Sequence, residues 1–365
     1  MLEEFDSTTN TDAWAERSEY WSKKLLDSAP KRPKRQRRKH PLILCGHGIS
    51  MRIDRGTLFI RDGFTHYPQE QTELRFFQGD LEIPERIIIV DGSGGLSLAV
   101  LDWLIDQGVT LIRVNWNGKS VVSLGGSGSF VDPDKLIWQF KTVKNAKGKI
   151  AFAASILERK IAASIQTLET CFDADAAQRS LGMLRTYQER LAQTGFRKFD
   201  DLYAMEGPSA KAYFEAWRSL GLRWRCTKGE LVPPAWTEFT SRSSPLTGKL
   251  PSNWKAVDPI NAMLNYTYAV LAAEMRIICI KEGYDPRIGI MHRPSRSSPD
   301  PFILDVMEPY RPVVDGAVLE FAASEEFSPK DFVLRNDGVC RLSPQMARVL
   351  AGHVTRGIEG LQVGV

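Results

Sequence analysis

The chain has two textures. Between residues 42 and 124, short apolar runs rich in β-branched residues are separated by turns; LILC, TLFI, ERIIIV and VTLIRVNW have the length and composition of strands. Asn117-Gly118 lies between VTLIRVNW and KSVVSL, the residue pair a type I′ hairpin requires because both positions take positive φ. One helix interrupts the strands, LSLAVLDWLIDQG, entered from DGSGG and closed by Gly108. After VDPDKLIWQF the period lengthens. Leu157, Ile161, Ile165, Leu168 and Phe172 recur at intervals of four, four, three and four, the stripe of an amphipathic helix. Further helical patterns cover roughly 175–195, 206–220, 258–283, 305–322 and 343–360, with a proline-rich loop over 226–257. This segregation predicts an α+β, multi-domain protein. An N-terminal extension (1–40) precedes a β-rich domain (41–132), a linker (133–150) and a larger all-α domain (151–365). No internal repeat and no parallel βαβ series is expected.

Composition changes this picture little. The hydrophobic fraction of 43% and charged fraction of 25% are ordinary for a globular protein, and 365 residues suffice for two cores. The acidic start MLEEFDS has no apolar run of a secretory signal. The most apolar window, Ile260 to Ile280, carries Asn261, Asn265, Glu274 and Arg276 and is read as a core helix rather than a membrane span. Five scattered cysteines form no CxxC pair, which argues against a zinc knuckle or a disulfide scaffold and makes the cytoplasm the expected compartment. Charge is uneven. Residues 1–30 carry a net −4, residues 31–40 (KRPKRQRRKH) hold seven bases and no acid, and +1 is left for residues 41–365. The basic run reads either as a phosphate-binding arm or as a solvated linker.

Several motifs dissolve on inspection. DGSGG and GGSGS resemble phosphate loops, but a Walker loop needs GxxxxGK[ST]; the one GKS, Gly118-Lys119-Ser120, has Arg113 where the first glycine belongs. These glycines are read as turns. His40, His47, His66 and His353 have no carboxylate at a meaningful spacing and are read as turn, packing or surface residues. Three stretches keep chemical interest. In AMEGPSAKAYFEAW, Glu206 precedes Gly-Pro and reads equally as helix-start grammar, an acid opposing the macrodipole. In DPINAMLNYTYAVLAAEMR, Leu264, Tyr268, Leu271 and Met275 follow helical spacing and read mostly as core. In RIGIMHRPSRSSPDPFILDVMEPYRP, His292 precedes Asp305 and Glu308, which at i and i+3 share a helical face although Pro309 disfavours helix at Glu308.

One imidazole and two or three carboxylates from separate helices make a mixed N/O site for Mg²⁺ or Mn²⁺, suited to phosphodiester chemistry. Arg293, Arg296 and Arg311 flank it, placed either to hold phosphates or to pair with Asp300, Asp305 or Glu308.

The order of these motifs resembles a known family. MEGPSAKAYFEAW, DPINAMLNYTYAVLAAEMRIICIKEGYDPRIGIMH and FILDVMEPYRPVVDGAVLEF are similar to the CRISPR-associated adaptation integrase, the Cas-one family, over residues 42–325. The similarity is most specific from Asp258 to Asp315. The resemblance implies that Glu206, His292 and Glu308 are metal ligands, with Asp305 a further acid either behind them or as auxiliary ligand. It implies homodimers through the β-rich domains, assembly with the small Cas-two protein, and metal-dependent joining of 3′-hydroxyl ends of short duplex DNA to a CRISPR repeat. It also implies nuclease activity on branched DNA. Residues 1–40, the polar loop after His292 and the long 226–257 segment depart from the family pattern, and the last holds Arg242 in a DNA-facing position. The same motifs would serve a mobile-element integrase, or an inactive DNA-binding scaffold.

Overall fold

A computed structural model describes residues 7–27, 41–63, 71–90, 92–114, 120–124, 132–193, 196, 198–218, 220–226, 230–242, 255–294, 300–358 and 362–364. The Asn117-Gly118 turn, the basic run 31–40, the GGSGS glycines, His40, His66 and Arg296 lie outside these residues. The chain opens with helix α1 (Ser7–Asp27), then β1 (Leu42–Cys45), β2 (Ile49–Asp54), β3 (Thr57–Arg61), β4 (Glu73–Phe76), β5 (Arg86–Val90) and β6 (Gly94–Leu96). Helix α2 (Leu98–Asp106) leads into β7 (Thr110–Val114) and β8 (Ser120–Leu124). Two four-stranded sheets result, ordered β1-β5-β7-β8 and β4-β3-β2-β6.

The first sheet corrects one expectation. β1, β5 and β7 are parallel, with only β8 antiparallel, and α2 is the crossover of a βαβ unit between β5 and β7. The runs LILC and RIIIV carry the explanation: strands buried on both faces lose the alternation of a one-sided strand and read as continuous apolar stretches. Their side chains still alternate. Leu42, Leu44, Ile87 and Leu111 enter a core between the sheets and α2, whereas Ile43, Ile88 and Ile112 enter the core of the helices. The sheet is thus a wall shared by both cores. The DGSGG glycines are partly strand: a Cβ on Gly94 would stand 1.8 Å from the Ile49 carbonyl oxygen, so β6 lies against β2 only because that position is glycine.

The rest is mostly helical: α3 (Pro133–Lys144), α4 (Ala146–Cys171), α5 (Ala174–Gln193), α6 (Phe199–Glu215), α7 (Pro259–Lys281), α8 (Pro301–Met307), α9 (Arg311–Ser324) and α10 (Pro344–Gly357). The segment read as a linker is α3 and the start of α4, capped by the Asp132 and Asn145 side chains on the Asp134 and Lys147 amides. The sequence pattern did not anticipate the small antiparallel pair β9 (Phe332–Leu334) and β10 (Cys340–Leu342), whose three-residue strands are too short to show a period. The amphipathic stripe holds, with Leu157, Ile161, Ile165 and Leu168 buried. α7 is long and apolar enough to cross a membrane by length and composition alone; Met263, Leu264, Leu271 and Met275 are buried in the helical core.

The N-terminal extension is not a loose appendage in its α1 part. Trp21 is 1% exposed, stacks against Phe321 at 5.5 Å and donates its indole N–H to Asp331 at 3.0 Å. Arg17 adds an ion pair to Asp331 at 2.7 Å, and Lys24 one to Glu325 at 2.9 Å.

Candidate active site

α6 begins seven residues before Glu206, so this acid sits inside the helix and not at its start. The start is set by Asp201, whose side chain accepts from the Lys198 amide at 3.3 Å. Pro208 is accommodated within the helix. Facing Glu206 is α4, and beyond it the chain that the sequence pattern reads as one helix from 305. The prolines divide it: α8 ends at Met307, Glu308–Tyr310 form a single 3₁₀ turn, and α9 starts at Arg311. Glu308 therefore stands at a joint, 5% exposed.

His292 reaches the same place from the loop after α7. Gly289 permits the tight return, since a Cβ there would lie 2.5 Å from the His292 carbonyl oxygen and 2.6 Å from Pro301. Asp305, fully buried, organises that loop. Its Oδ2 accepts the Ile290 and Met291 amides at 2.6 and 3.0 Å, and its Oδ1 accepts the His292 amide at 3.0 Å and contacts His292 Nδ1 at 2.7 Å. With Nδ1–H donated to this carboxylate, Nε2 keeps its lone pair. Burial acts to lower the His292 pKa, but the hydrogen bond and charge of Asp305, with Glu308 and Glu206 behind them, raise it.

The two glutamates meet through a residue the sequence reading missed. Lys160 of α4 places Nζ 2.9 Å from Glu206 Oε1 and 2.7 Å from Glu308 Oε2. Burial opposes both charges. Even so, Arg311 and Lys160 hold the Glu308 carboxyl down at about 2, and Glu308 with Glu206 raises the Lys160 ammonium. Arg311 Nε lies 3.0 Å from Glu308 Oε1, the pairing foreseen as the bland alternative for this arginine. Among the described residues no three His, Cys, Asp or Glu side chains converge closely enough to hold a metal as they stand. A divalent cation nevertheless fits the donors present. They are two carboxylates and an imidazole, and the buried Glu308 Oε2 is met by Lys160 in a short but poorly aligned ion pair.

Tyr268 belongs to the site as well as to the helix face. Arg242 and Arg311 lie over its ring at 5.3 and 4.9 Å, and its hydroxyl donates to Asp315 at 2.6 Å. Arg242 in turn donates to Asn261 and Asn265 at 2.9 and 2.7 Å, which explains two asparagines on an otherwise apolar helix. A cavity of about 200 Å³ adjoins these groups, lined among others by Lys160, Glu206, Glu308, Arg242, Arg311 and Asp315. Arg293 is exposed beside His292.

A β-rich region with a shared parallel sheet, followed by a helical region carrying a buried carboxylate–imidazole site, defines the class of fold. It matches the family model "CRISPR associated protein Cas1" over residues 42–356. The chain belongs to that family. It is 25% identical over 298 residues to a CRISPR-associated endonuclease Cas1 of Korarchaeum cryptofilum, covering 77% of each chain. Among solved structures it is similar to a casposase bound to integration product, with TM-score 0.71 and 26% identity over 87% of this chain and 82% of that one. It shares its fold with a chain of a Cas6-RT-Cas1–Cas2 complex, with TM-score 0.66 and 18% identity over 91% of this chain and 33% of that longer one.

Proposed function

We propose that the protein is a metal-dependent DNA endonuclease and integrase of CRISPR adaptation, joining 3′-hydroxyl ends of short duplex DNA into a CRISPR repeat by transesterification. The observation that carries this reading is the pairing of Glu206 and Glu308 around one cation, with His292 oriented beside them by Asp305. Glu206, His292 and Glu308 would hold Mg²⁺ or Mn²⁺, and Asp305 orients the histidine rather than binding the ion. When bound, the ion supplies Lewis acidity to the phosphate and lowers the pKa of the attacking hydroxyl or water. The 3′-oxygen forms a new bond to phosphorus, the old P–O3′ bond breaks, and the proton leaves the attacking hydroxyl for the departing oxygen. Water in place of the hydroxyl gives strand cleavage, including on branched DNA. Arg242, Arg293 and Arg311 hold neighbouring phosphates, with Arg296 a further candidate outside the described residues.

The β-rich domain (41–132) serves homodimerisation, and the helical domain (151–365) catalysis. Exposed Phe77, Leu98 and Ile105 on the β-rich part support an apolar contact there. The family's partnership with Cas2 extends to this chain, and its place of action is the cytoplasm. A second reading, an integrase of a mobile element that inserts its own ends, draws support from the casposase likeness at 26% identity.

The test is a joining assay with Mn²⁺ or Mg²⁺, a 3′-hydroxyl duplex and a repeat-containing plasmid. Joined products are expected, and Glu206→Ala, His292→Ala and Glu308→Ala each abolish them while thermal melts show a folded protein. Full joining by His292→Ala refutes the metal-site assignment. Preference for terminal inverted repeats over the CRISPR repeat favours the mobile-element reading, and inactivity of the wild type with retained DNA binding favours a scaffold.

A further inference from the structure

We propose that Lys160 is a tethered counter-cation. It bridges Glu206 and Glu308 while no divalent ion is bound and, when one enters, turns into the adjoining cavity to take a DNA phosphate, so that metal and DNA bind cooperatively. The inference rests on the metal-site reading above.

Three observations support it. First, the ammonium stands 2.9 and 2.7 Å from two of the carboxylates that would hold a divalent ion, so it and the ion would compete for the same negative charge. Second, its two contacts are unequal: Lys160 donates an aligned hydrogen bond to Glu206 Oε1, while the 2.7 Å ion pair to Glu308 Oε2 is poorly aligned. A compact charge on a four-carbon stem suits such a movable role better than a guanidinium fork would. Third, the place to move to exists. Lys160 already lines the cavity of about 200 Å³ that holds Arg242. That arginine donates its hydrogen bonds to two neutral amides, while the Asp315 and Asp258 carboxylates act on it through charge alone. The formal charges around the cavity are three cations (Lys160, Arg242, Arg311) and three anions (Glu206, Glu308, Asp315). A divalent ion added to this balanced set leaves an excess of two positive charges, and the phosphodiesters of DNA, at one negative charge each, are the anions that offset it.

The experiment measures Mn²⁺ binding, read from the free-ion EPR signal, for wild type and Lys160→Met, with and without a short 3′-hydroxyl DNA duplex. Without DNA, Lys160→Met is expected to bind Mn²⁺ about tenfold more tightly or better, since a charge within contact distance of both ligands is gone. Its melting temperature in EDTA falls, because Glu206 loses the Lys160 ion pair and Glu308 keeps only Arg311, and its gain on adding Mn²⁺ exceeds that of wild type. DNA tightens Mn²⁺ binding to wild type and has much less effect on the variant. Lys160→Gln repeats the measurement if the methionine variant does not fold, and Lys160→Arg retains the weaker, wild-type-like affinity. Equal or weaker Mn²⁺ binding by both neutral variants overturns the counter-cation role while leaving the metal site standing. Absence of Mn²⁺ binding in wild type and variants alike overturns both.

Discussion

Asp305→Asn is the sharpest perturbation the site offers, because it changes one heavy atom. The carboxylate accepts from three amides and faces His292 Nδ1 with only two oxygens, at 2.6 to 3.0 Å. An amide keeps one oxygen. If that oxygen stays with His292, the new NH₂ confronts the Ile290 and Met291 N–H groups; if it turns, the His292 amide and ring lose their acceptor. Either way two buried donors are orphaned, at about 1–3 kcal/mol each, roughly 2–6 kcal/mol together. The loss is local to the loop that carries His292. Hydrogen exchange reads it directly: lowering the opening cost by 2 kcal/mol alone speeds exchange at residues 290–292 by about thirtyfold. Mn²⁺ affinity should fall by about 10–100-fold, the usual effect of removing a group that orients a metal-binding imidazole. Unchanged protection of those amides refutes the organising role. An affinity loss as large as that of His292→Ala would instead make Asp305 a ligand.

Trp21→Ala should cost about 3–5 kcal/mol in a denaturant melt, since it empties a buried indole site and strips Asp331 of a donor; a neutral result would show that α1 docks without stabilising. Burial pushes the Asp315 carboxyl up to about 6, against the pull of Tyr268 and Arg242. The folded state then binds more protons than the unfolded one between about pH 4 and 6, so stability falls as pH rises across that window, by about 3 kcal/mol. Asp315→Asn should flatten this slope. Replacing the seven bases of residues 31–40 with glutamine should reduce the slope of log K against log salt for DNA binding, because fewer counterions are released; an unchanged slope supports a plain linker. Glutamine replacement is the appropriate change, since deleting residues 1–40 would also remove Trp21.

The fold was legible where burial is one-sided and the element long. The Leu157–Phe172 stripe located α4, and the β-branched runs located strands. Parallel pairing was hidden because strands buried on two faces lose their alternation, and β9 and β10 because three residues carry no period. For the site, local pattern supplied little. Glu206 lies in a helix that starts earlier than its Gly-Pro suggests, and it was singled out by motif order. Lys160 was invisible for a plain reason. It stands about 100° round the helix from the stripe that gave the clearest signal, where a lone lysine reads as solvated, and its partners lie 46 and 148 residues away. The two asparagines of α7 were a readable hint: amides on a helix that is otherwise core require a buried partner, here Arg242.

The shared sheet bears on how the molecule comes apart. Ile87 and Ile88 are neighbours in one strand, yet each belongs to a different core, and both are fully buried. Melting either core strips one face of β5 and leaves the other face without a backing. A protein with two textures in its sequence would ordinarily unfold in two steps. Here the shared sheet predicts a single transition, and a lesion on the β-rich side should lower the occupancy of a competent site on the helical side without touching any residue in it.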